Sequence, residues 1–314
     1  MSQHKSSAKV DDTSQSPLSG FRGQSLPGLL FAFELRLWVA LCVTGLSYSG
    51  SRAVGLKPLP RVICLVFLLT LTLYNLDGSL DSAVRRQYSP RYTIRRRYHF
   101  ILSGGALISA ACLAPSLAPL TQLVTLLGLI CCSFYALPLP AIGPLKNIPF
   151  LKSPFIGLAV TGGALAPPLA EATMLTKSAT IGIAPLCCVT AAIAGYCTIN
   201  ATLFDFPDYR EDTAQGTPTL PRLLGLRKTR RVCQWLALGT GALLTIAVLS
   251  TLQLDQDTAK IARIAQLSLL LLSPISFLAI RAVTPVTPRF VVAWLVDGAL
   301  LVPSLCIFLY LSLR

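Results

Sequence analysis

Histidine and acidic residues are scarce in this sequence of 314 residues. It contains 13 Asp and Glu against 27 Lys and Arg, and its two histidines are His4 and His99. His4 lies in a polar N-terminal stretch and His99 at the predicted start of a helix, so they form neither a ligand cluster nor part of a Ser/His/Asp arrangement. The sequence therefore gives no support to a histidine-based metal site or to hydrolase chemistry of the triad type.

Cysteine spacing excludes another class of site. Ten cysteines are present, but no two of them have the CxxC spacing that is typical of structural zinc sites and redox sites. Nearly all lie within apolar segments, where a thiol behaves as a small apolar side chain. We therefore interpret the cysteines as packing residues and expect no disulfide framework.

Charged residues make up only 13% of the chain and hydrophobic residues 53%, and the mean hydropathy is +0.64. A soluble fold would leave most of this apolar surface unexplained, so the composition predicts an all-α, polytopic membrane protein. A helix needs about 20 residues to cross a bilayer, and each apolar segment between charges or Pro/Gly clusters is about that long. The nine predicted spans are residues 29–49, 59–80, 99–116, 119–138, 150–170, 178–203, 232–252, 263–281 and 290–312.

The first 26 residues are rich in serine and lack the short apolar core and cleavage site of a signal peptide. We predict a disordered tail over residues 1–26 and a membrane domain over residues 27–314. If the N-terminus is cytoplasmic, 20 basic residues fall on the cytoplasmic side and 7 on the other. The positive-inside rule therefore predicts a cytoplasmic N-terminus and a C-terminus on the opposite side, and we expect a bacterial inner membrane. Because no soluble module carries a basic surface, we expect no nucleic-acid partner.

Six of the 13 acidic residues lie in two short blocks at the ends of the second and sixth predicted spans. The blocks are Asp77 with Asp81, and Asp205 with Asp208, Glu211 and Asp212. Both spans end on the same membrane face, and the helical spacing of the aspartates within each block places them on one helical face. Their mutual repulsion would be relieved by a divalent cation that prefers oxygen ligands, Mg²⁺ or Ca²⁺. Solvated acidic helix ends are the simpler alternative.

Two segments resemble the UbiA superfamily of intramembrane prenyltransferases. The segment DFPDYREDTAQGTPTLPRLLG, from Asp205 to Gly225, is similar to the second aspartate motif of that family, DxxDxxxDxxxGxxTLPxxLG. The segment YALPLPAIGPLKNIPFLKSPFIGL, residues 135–158, is similar to the family's connection between the fourth and fifth helices. The resemblance covers nearly the whole chain after the tail, and it implies nine transmembrane helices around a central cavity.

The resemblance also implies a reaction. Mg²⁺ held by aspartates would stabilise the diphosphate that leaves an isoprenyl diphosphate, and an aromatic or lipid-like acceptor would capture the allylic cation. The implied metal ligands and catalytic residues are Asp77, Asp81, Asp205, Asp208 and Asp212. The basic candidates for diphosphate binding are Lys146, Lys152 and Arg86. Tyr74, Phe204 and Tyr209 lie beside the aspartates and are candidates for stabilising the cation, with packing as the alternative role of each. Asn200 is a further candidate for substrate binding.

The first block departs from the family pattern NxxxDxxxD, because Leu73 stands where Asn is usual. Asn75 would replace that ligand only if the helix end were unwound. Pro207, within the second block, predicts a kink or a restart of the helix. Asp297, well inside the ninth span, should face the bundle, where it pairs with an arginine or Asn200 or contacts the substrate.

Three other functions stay open at this point. A UbiA-type terpene cyclase would need no acceptor. A CDP-alcohol phosphotransferase is suggested by DGSLDSAVR, residues 77–85, although the DxxDGxxAR order of that class is absent. A non-catalytic membrane carrier of the same fold is suggested by Leu73. The residues do not select among acceptors or prenyl chain lengths.

Overall fold

A computed structural model describes residues 36–85, 91–136, 148–176, 182–252 and 257–313, except for the side chains of residues 80–85, 91–96, 136, 176 and 215. Every regular element within these ranges is helical. The α-helices are α1 (Leu37–Ala53), α2 (Pro60–Arg85), α3 (Arg91–Leu113), α4 (Pro119–Ala136), α5 (Lys152–Thr176), α6 (Ile183–Phe204), α7 (Tyr209–Gln215), α8 (Leu220–Leu224), α9 (Leu226–Thr251), α10 (Asp257–Leu270), α11 (Leu272–Ala282), α12 (Arg289–Val292) and α13 (Val302–Ser312).

Seven helical segments within the described ranges are long and apolar enough to cross a membrane. They are Pro60–Ser79, Arg97–Ser116, Lys152–Leu175, Ile183–Phe204, Leu226–Thr251, Asp257–Ala282 and Arg289–Ser312. Each coincides with a predicted span. The other two predicted spans, 29–49 and 119–138, correspond to the shorter helices α1 and α4, and the first of them begins outside the described residues. The all-helical membrane fold is confirmed, whereas the count of nine transmembrane helices stays a prediction.

Large apolar side chains both fill the core of the bundle and cover part of its outer surface. A central core joins α1, α6, α9, α10, α11 and α13, and it encloses large side chains such as Tyr196, Leu46 and Leu244. Other large apolar side chains, including Phe100, Trp235 and Phe308, point outward and are exposed. An apolar exterior around a packed core is the arrangement of a helical bundle that is solvated by lipid, where each helix satisfies its own backbone hydrogen bonds.

One close approach fixes α5 against α6. A Cβ on Gly157 would overlap the Thr198 side chain and the Ala194 carbonyl oxygen, so only glycine permits this distance between the helices. The contact lies near the start of α5 and the end of α6. It therefore places Lys152, the first residue of α5, beside the residues that follow Phe204.

The last span is irregular in its middle. Residues Ala293–Asp297 form a π-turn and Gly298–Leu301 a 3₁₀-turn before α13 begins. Pro303 explains part of this, because its ring lacks an N–H and clashes with the preceding turn. Two side chains bind carbonyl oxygens in the π-turn: Nε1 of Trp38 donates to Ala293 O at 3.1 Å, and Nδ2 of Asn200 donates to Val296 O at 3.2 Å.

Candidate active site

The second aspartate block lies in a break between two helices. Helix α6 ends at Phe204, Pro207 stands in the break, and α7 begins at Tyr209, so the predicted interruption at Pro207 is confirmed. The Phe206 ring is fully buried and lies under the Arg230 guanidinium, 5.6 Å from it. Arg230 also donates to Val283 O at 2.8 Å. The break is therefore anchored to the core of the bundle.

Glycine and proline residues determine where the short helices begin and end in the second half of the motif. Gly216 follows α7 and Gly225 follows α8, each with a φ of 78°, which an L-residue with a side chain rarely adopts. Pro221 lies in the first turn of α8, where its missing N–H is not needed. These positions shape the backbone that carries the aspartates, and none of them needs to contact a substrate.

The three aspartates of this block differ in their surroundings. The Asp205 side chain is 2% exposed, and its Oδ1 accepts from Nζ of Lys152 at 2.5 Å. Burial raises the pKa of Asp205 to about 6, although the charge of Lys152 lowers it. Burial also raises the pKa of Asp212, although the charge of Lys152 lowers it. A charged pair is thus held in a poorly solvated place, where leaving either partner alone is unfavourable.

Arg289 is a site residue that the sequence analysis missed. Its Nε and one terminal nitrogen both donate to Oδ1 of Asp208, at 2.8 and 2.5 Å. The side chains of Arg289 and Asp208 are 55% and 26% exposed, so this pair is more exposed than Lys152 and Asp205, at 28% and 2%. No sequence spacing signals the contact, because the partners lie 81 positions apart on separate helices.

Two carboxylate oxygens in this block are buried without a hydrogen-bond partner among the described residues. They are Oδ2 of Asp205 and Oδ2 of Asp212, and the Thr219 hydroxyl lies close enough to Asp212 to lower its pKa. Unpaired buried acceptors of this kind fit a cation that prefers oxygen ligands. No group of three or more acidic, histidine or cysteine side chains among the described residues forms a complete metal site. The convergence of the two aspartate blocks on one metal centre stays a prediction.

The first block is only partly described. Asp77 lies half-buried in α2, whereas the Asp81 side chain is outside the described residues. Helix α2 continues to Arg85, so the helix end is not unwound at Asn75. Asn75 is instead fully buried; its Nδ2 donates to Leu71 O at 2.8 Å, and Nδ1 of His99 donates to its Oδ1 at 2.7 Å. A polar contact between α2 and α3 therefore occupies the side chain that was the candidate replacement for the missing ligand.

The remaining predicted residues fall into two groups. Arg86 and Lys146 lie outside the described residues. Tyr74, Phe204 and Tyr209 are half-buried. Nδ2 of Asn200 donates to the carbonyl oxygen of Val296 at 3.2 Å, and none of the ion pairs in the described part of the chain includes Asp297. The expected partner of Asp297 therefore stays a prediction.

A known protein family matches most of this chain. The model of the UbiA prenyltransferase family matches residues 76–310, from the first aspartate block to the last helix. The chain belongs to the UbiA prenyltransferase family. No curated protein matches the chain significantly in sequence.

Solved structures of UbiA homologues have the same fold. A homologue from Archaeoglobus fulgidus, bound to DMAPP and Mg²⁺, superposes with a TM-score of 0.62 at 18% identity, over 90% of this chain and 99% of that one. The apo structure of a homologue from Aeropyrum pernix K1 gives 0.62 at 15% identity, over 87% and 98%. A digeranylgeranylglyceryl phosphate synthase gives 0.54 at 13% identity, over 88% and 98%. At these identities the likeness concerns the fold of the UbiA family.

Proposed function

We propose that this protein is a Mg²⁺-dependent prenyltransferase that moves a prenyl group from an isoprenyl diphosphate to an aromatic or lipid-like acceptor within the membrane. The observation that carries the proposal is the pair of buried, unpartnered carboxylate oxygens of Asp205 and Asp212, with Lys152 and Arg289 beside the block, in a chain of the UbiA family. Structures of the Archaeoglobus fulgidus homologue bound to DMAPP or GPP with Mg²⁺ support the donor and the cation.

The roles of the residues follow from their charges and positions. Asp205 and Asp212, with Asp208, Asp77 and Asp81, would hold Mg²⁺, which when bound neutralises the diphosphate and so stabilises it as a leaving group. Lys152 would bind the diphosphate from the start of α5, and Lys146 and Arg86, which lie outside the described residues, are further candidates for binding it. Tyr74, Phe204 and Tyr209 would face the apolar prenyl chain. The apolar tail of the donor explains why the site belongs in a bundle that is solvated by lipid.

The proposal includes the arrangement in the membrane. Nine transmembrane helices, with the aspartate blocks on the cytoplasmic face and the C-terminus on the other, agree with the uneven distribution of basic residues in the sequence. In the structure, the contact of Lys152 with Asp205 joins the start of α5 to the end of α6 on one face. Reporter fusions test the orientation: a C-terminal fusion found in the cytoplasm, together with a cytoplasmic N-terminus, would contradict nine spans.

The reaction is tested on purified protein in lipid nanodiscs. Isoprenyl diphosphates of several chain lengths are supplied with and without Mg²⁺, with candidate acceptors present or absent, and both pyrophosphate release and prenylated products are measured. We expect Mg²⁺-dependent release that requires an acceptor. Release without an acceptor, together with a cyclic hydrocarbon product, would identify a terpene cyclase, and binding without any release would identify a carrier.

A further inference from the structure

A cavity lies at the end of the bundle opposite the aspartate blocks. Its volume is about 590 Å³, within the range of roughly 300–1,000 Å³ that small-molecule sites occupy. The C-terminal ends of α1, α5 and α13 line it, together with the first turns of α2 and α10. Because α5 starts at Lys152 beside Asp205 and ends at this cavity, the whole length of that helix separates the two sites.

Cations are concentrated around this cavity. The sequence places only 7 basic residues on this membrane face, and two of them, Arg52 and Lys57, line the cavity. The Arg52 guanidinium lies 5.5 Å from the centre of the Tyr48 ring, which fixes its direction, and no described residue accepts a hydrogen bond from its buried Nε. Neither Arg52 nor Lys57 forms an ion pair within the described part of the chain.

The acidic residues of the cavity do not neutralise these cations. Glu171 is 1% exposed and is fully engaged: one oxygen binds Arg61 at 2.7 Å, and the other accepts from Ala118 N at 2.9 Å and from Thr121 Oγ1 at 2.7 Å. Asp257 has Lys260 at 3.5 Å. Each acid is therefore offset by its own cation, and Arg52 and Lys57 give the described lining of the cavity a net positive charge.

The rest of the lining is mainly apolar. Leu56, Val62 and Ile261 contribute aliphatic walls, and Leu175 lines the cavity while its side chain is 54% exposed on the outer surface of the bundle. A soluble anion would gain little from such walls, whereas an anionic amphiphile would bury its chain against them. Guanidinium and ammonium groups at the rim are the usual partners of phosphate.

We propose that this cavity binds an acidic phospholipid of the leaflet opposite the aspartate blocks, with its phosphate at Arg52 and Lys57 and part of an acyl chain along the apolar wall. The site is separate from the prenyl-transfer site and requires no turnover. Its occupant would link the ends of α1, α2, α5 and α10, which otherwise meet around an open cavity.

Lipid retention tests the proposal. The full-length protein in detergent is titrated with phosphatidylglycerol or with phosphatidylcholine, and bound lipid is counted by native mass spectrometry. The Arg52→Gln/Lys57→Gln variant is compared with Lys228→Gln/Arg231→Gln, which removes the same charge from two exposed residues at the start of α9. We expect the first variant to bind phosphatidylglycerol roughly thirtyfold more weakly, since each cation near an anionic lipid contributes about a fivefold effect, and the second to bind it as the parent does.

A substitution at one exposed residue tests whether weaker lipid binding is caused by misfolding. Lys57 is exposed, so Lys57→Glu should leave the melting temperature unchanged and still weaken phosphatidylglycerol binding more than Lys57→Gln does. Equal retention of phosphatidylglycerol by the parent, by Arg52→Gln/Lys57→Gln and by Lys57→Glu would overturn the proposal. So would equal retention of phosphatidylcholine and phosphatidylglycerol by the parent, or binding of glycerol 1-phosphate as tight as that of the lipid, which would indicate a site for a soluble phosphate.

Discussion

Nζ of Lys152 lies 2.5 Å from Oδ1 of Asp205, although the two residues are 53 positions apart in the chain. The contact joins the connection before α5 to the break after α6, the two segments whose sequences resemble the UbiA family. It occupies one oxygen of Asp205, and no other described residue donates a hydrogen bond to the second oxygen. One oxygen of the Asp205 carboxylate thus binds a lysine, while the other is available as a ligand. The proposed site depends on this arrangement.

Replacing Lys152 should affect both stability and binding. In Lys152→Ala, the buried Asp205 loses its only described ion pair, and breaking such a pair destabilises a protein by about 3 kcal/mol or more. We also expect the affinity for a non-hydrolysable isoprenyl diphosphate analogue to fall by roughly tenfold, since one charge-assisted contact is lost. Lys152→Arg keeps the charge and is the control. Unchanged affinity in a folded Lys152→Ala protein would remove this lysine from the site.

A methyl group at Gly157 should disturb the site from a distance. Gly157→Ala would push the Cβ into the Thr198 side chain and the Ala194 carbonyl, so α5 must move away from α6 and take Lys152 with it. Gly162→Ala is a matched control on the same helix, because a Cβ there meets nothing within 4 Å. We expect a lower melting temperature and lower diphosphate affinity for Gly157→Ala only. If both variants behave alike, the close approach of α5 and α6 does not position the site.

The sequence predicts those features of the structure that depend on neighbouring residues, and it does not predict contacts between residues far apart in the chain. Periodicity and composition predict long apolar helices, and the ring of Pro207 predicts the break after α6, because these effects act within a few residues. The contact between Asn75 and His99 was not predicted, since a single histidine at the start of a helix gives no sign of its partner on another helix. Arg289 was missed because the sequence gives no sign of which carboxylate a distant arginine will meet.

Removing Arg289 should separate its electrostatic role from a structural one. The pair with Asp208 is largely exposed, and exposed pairs contribute at most about 1 kcal/mol, so Arg289→Gln should melt close to the parent. Because Asp208 is then released, we expect half-maximal activity at a lower Mg²⁺ concentration, together with a higher KM for the isoprenyl diphosphate. A large fall in melting temperature with an unchanged Mg²⁺ response would assign Arg289 a purely structural role.

The most direct test of the account is pyrophosphate release by Asp205→Asn and Asp212→Asn, measured in nanodiscs with thermal stability followed in parallel. Each change keeps the size of the side chain but removes a charge and a ligand oxygen. Metal stabilisation of a charged leaving group contributes several kcal/mol, so we predict that release falls by roughly a hundredfold or more while the protein stays folded. Glu211→Gln, an exposed acid next to Asp212, should release pyrophosphate within about twofold of the parent. Folded Asp205→Asn and Asp212→Asn proteins that release pyrophosphate at the parent's rate would contradict the catalytic role of this block.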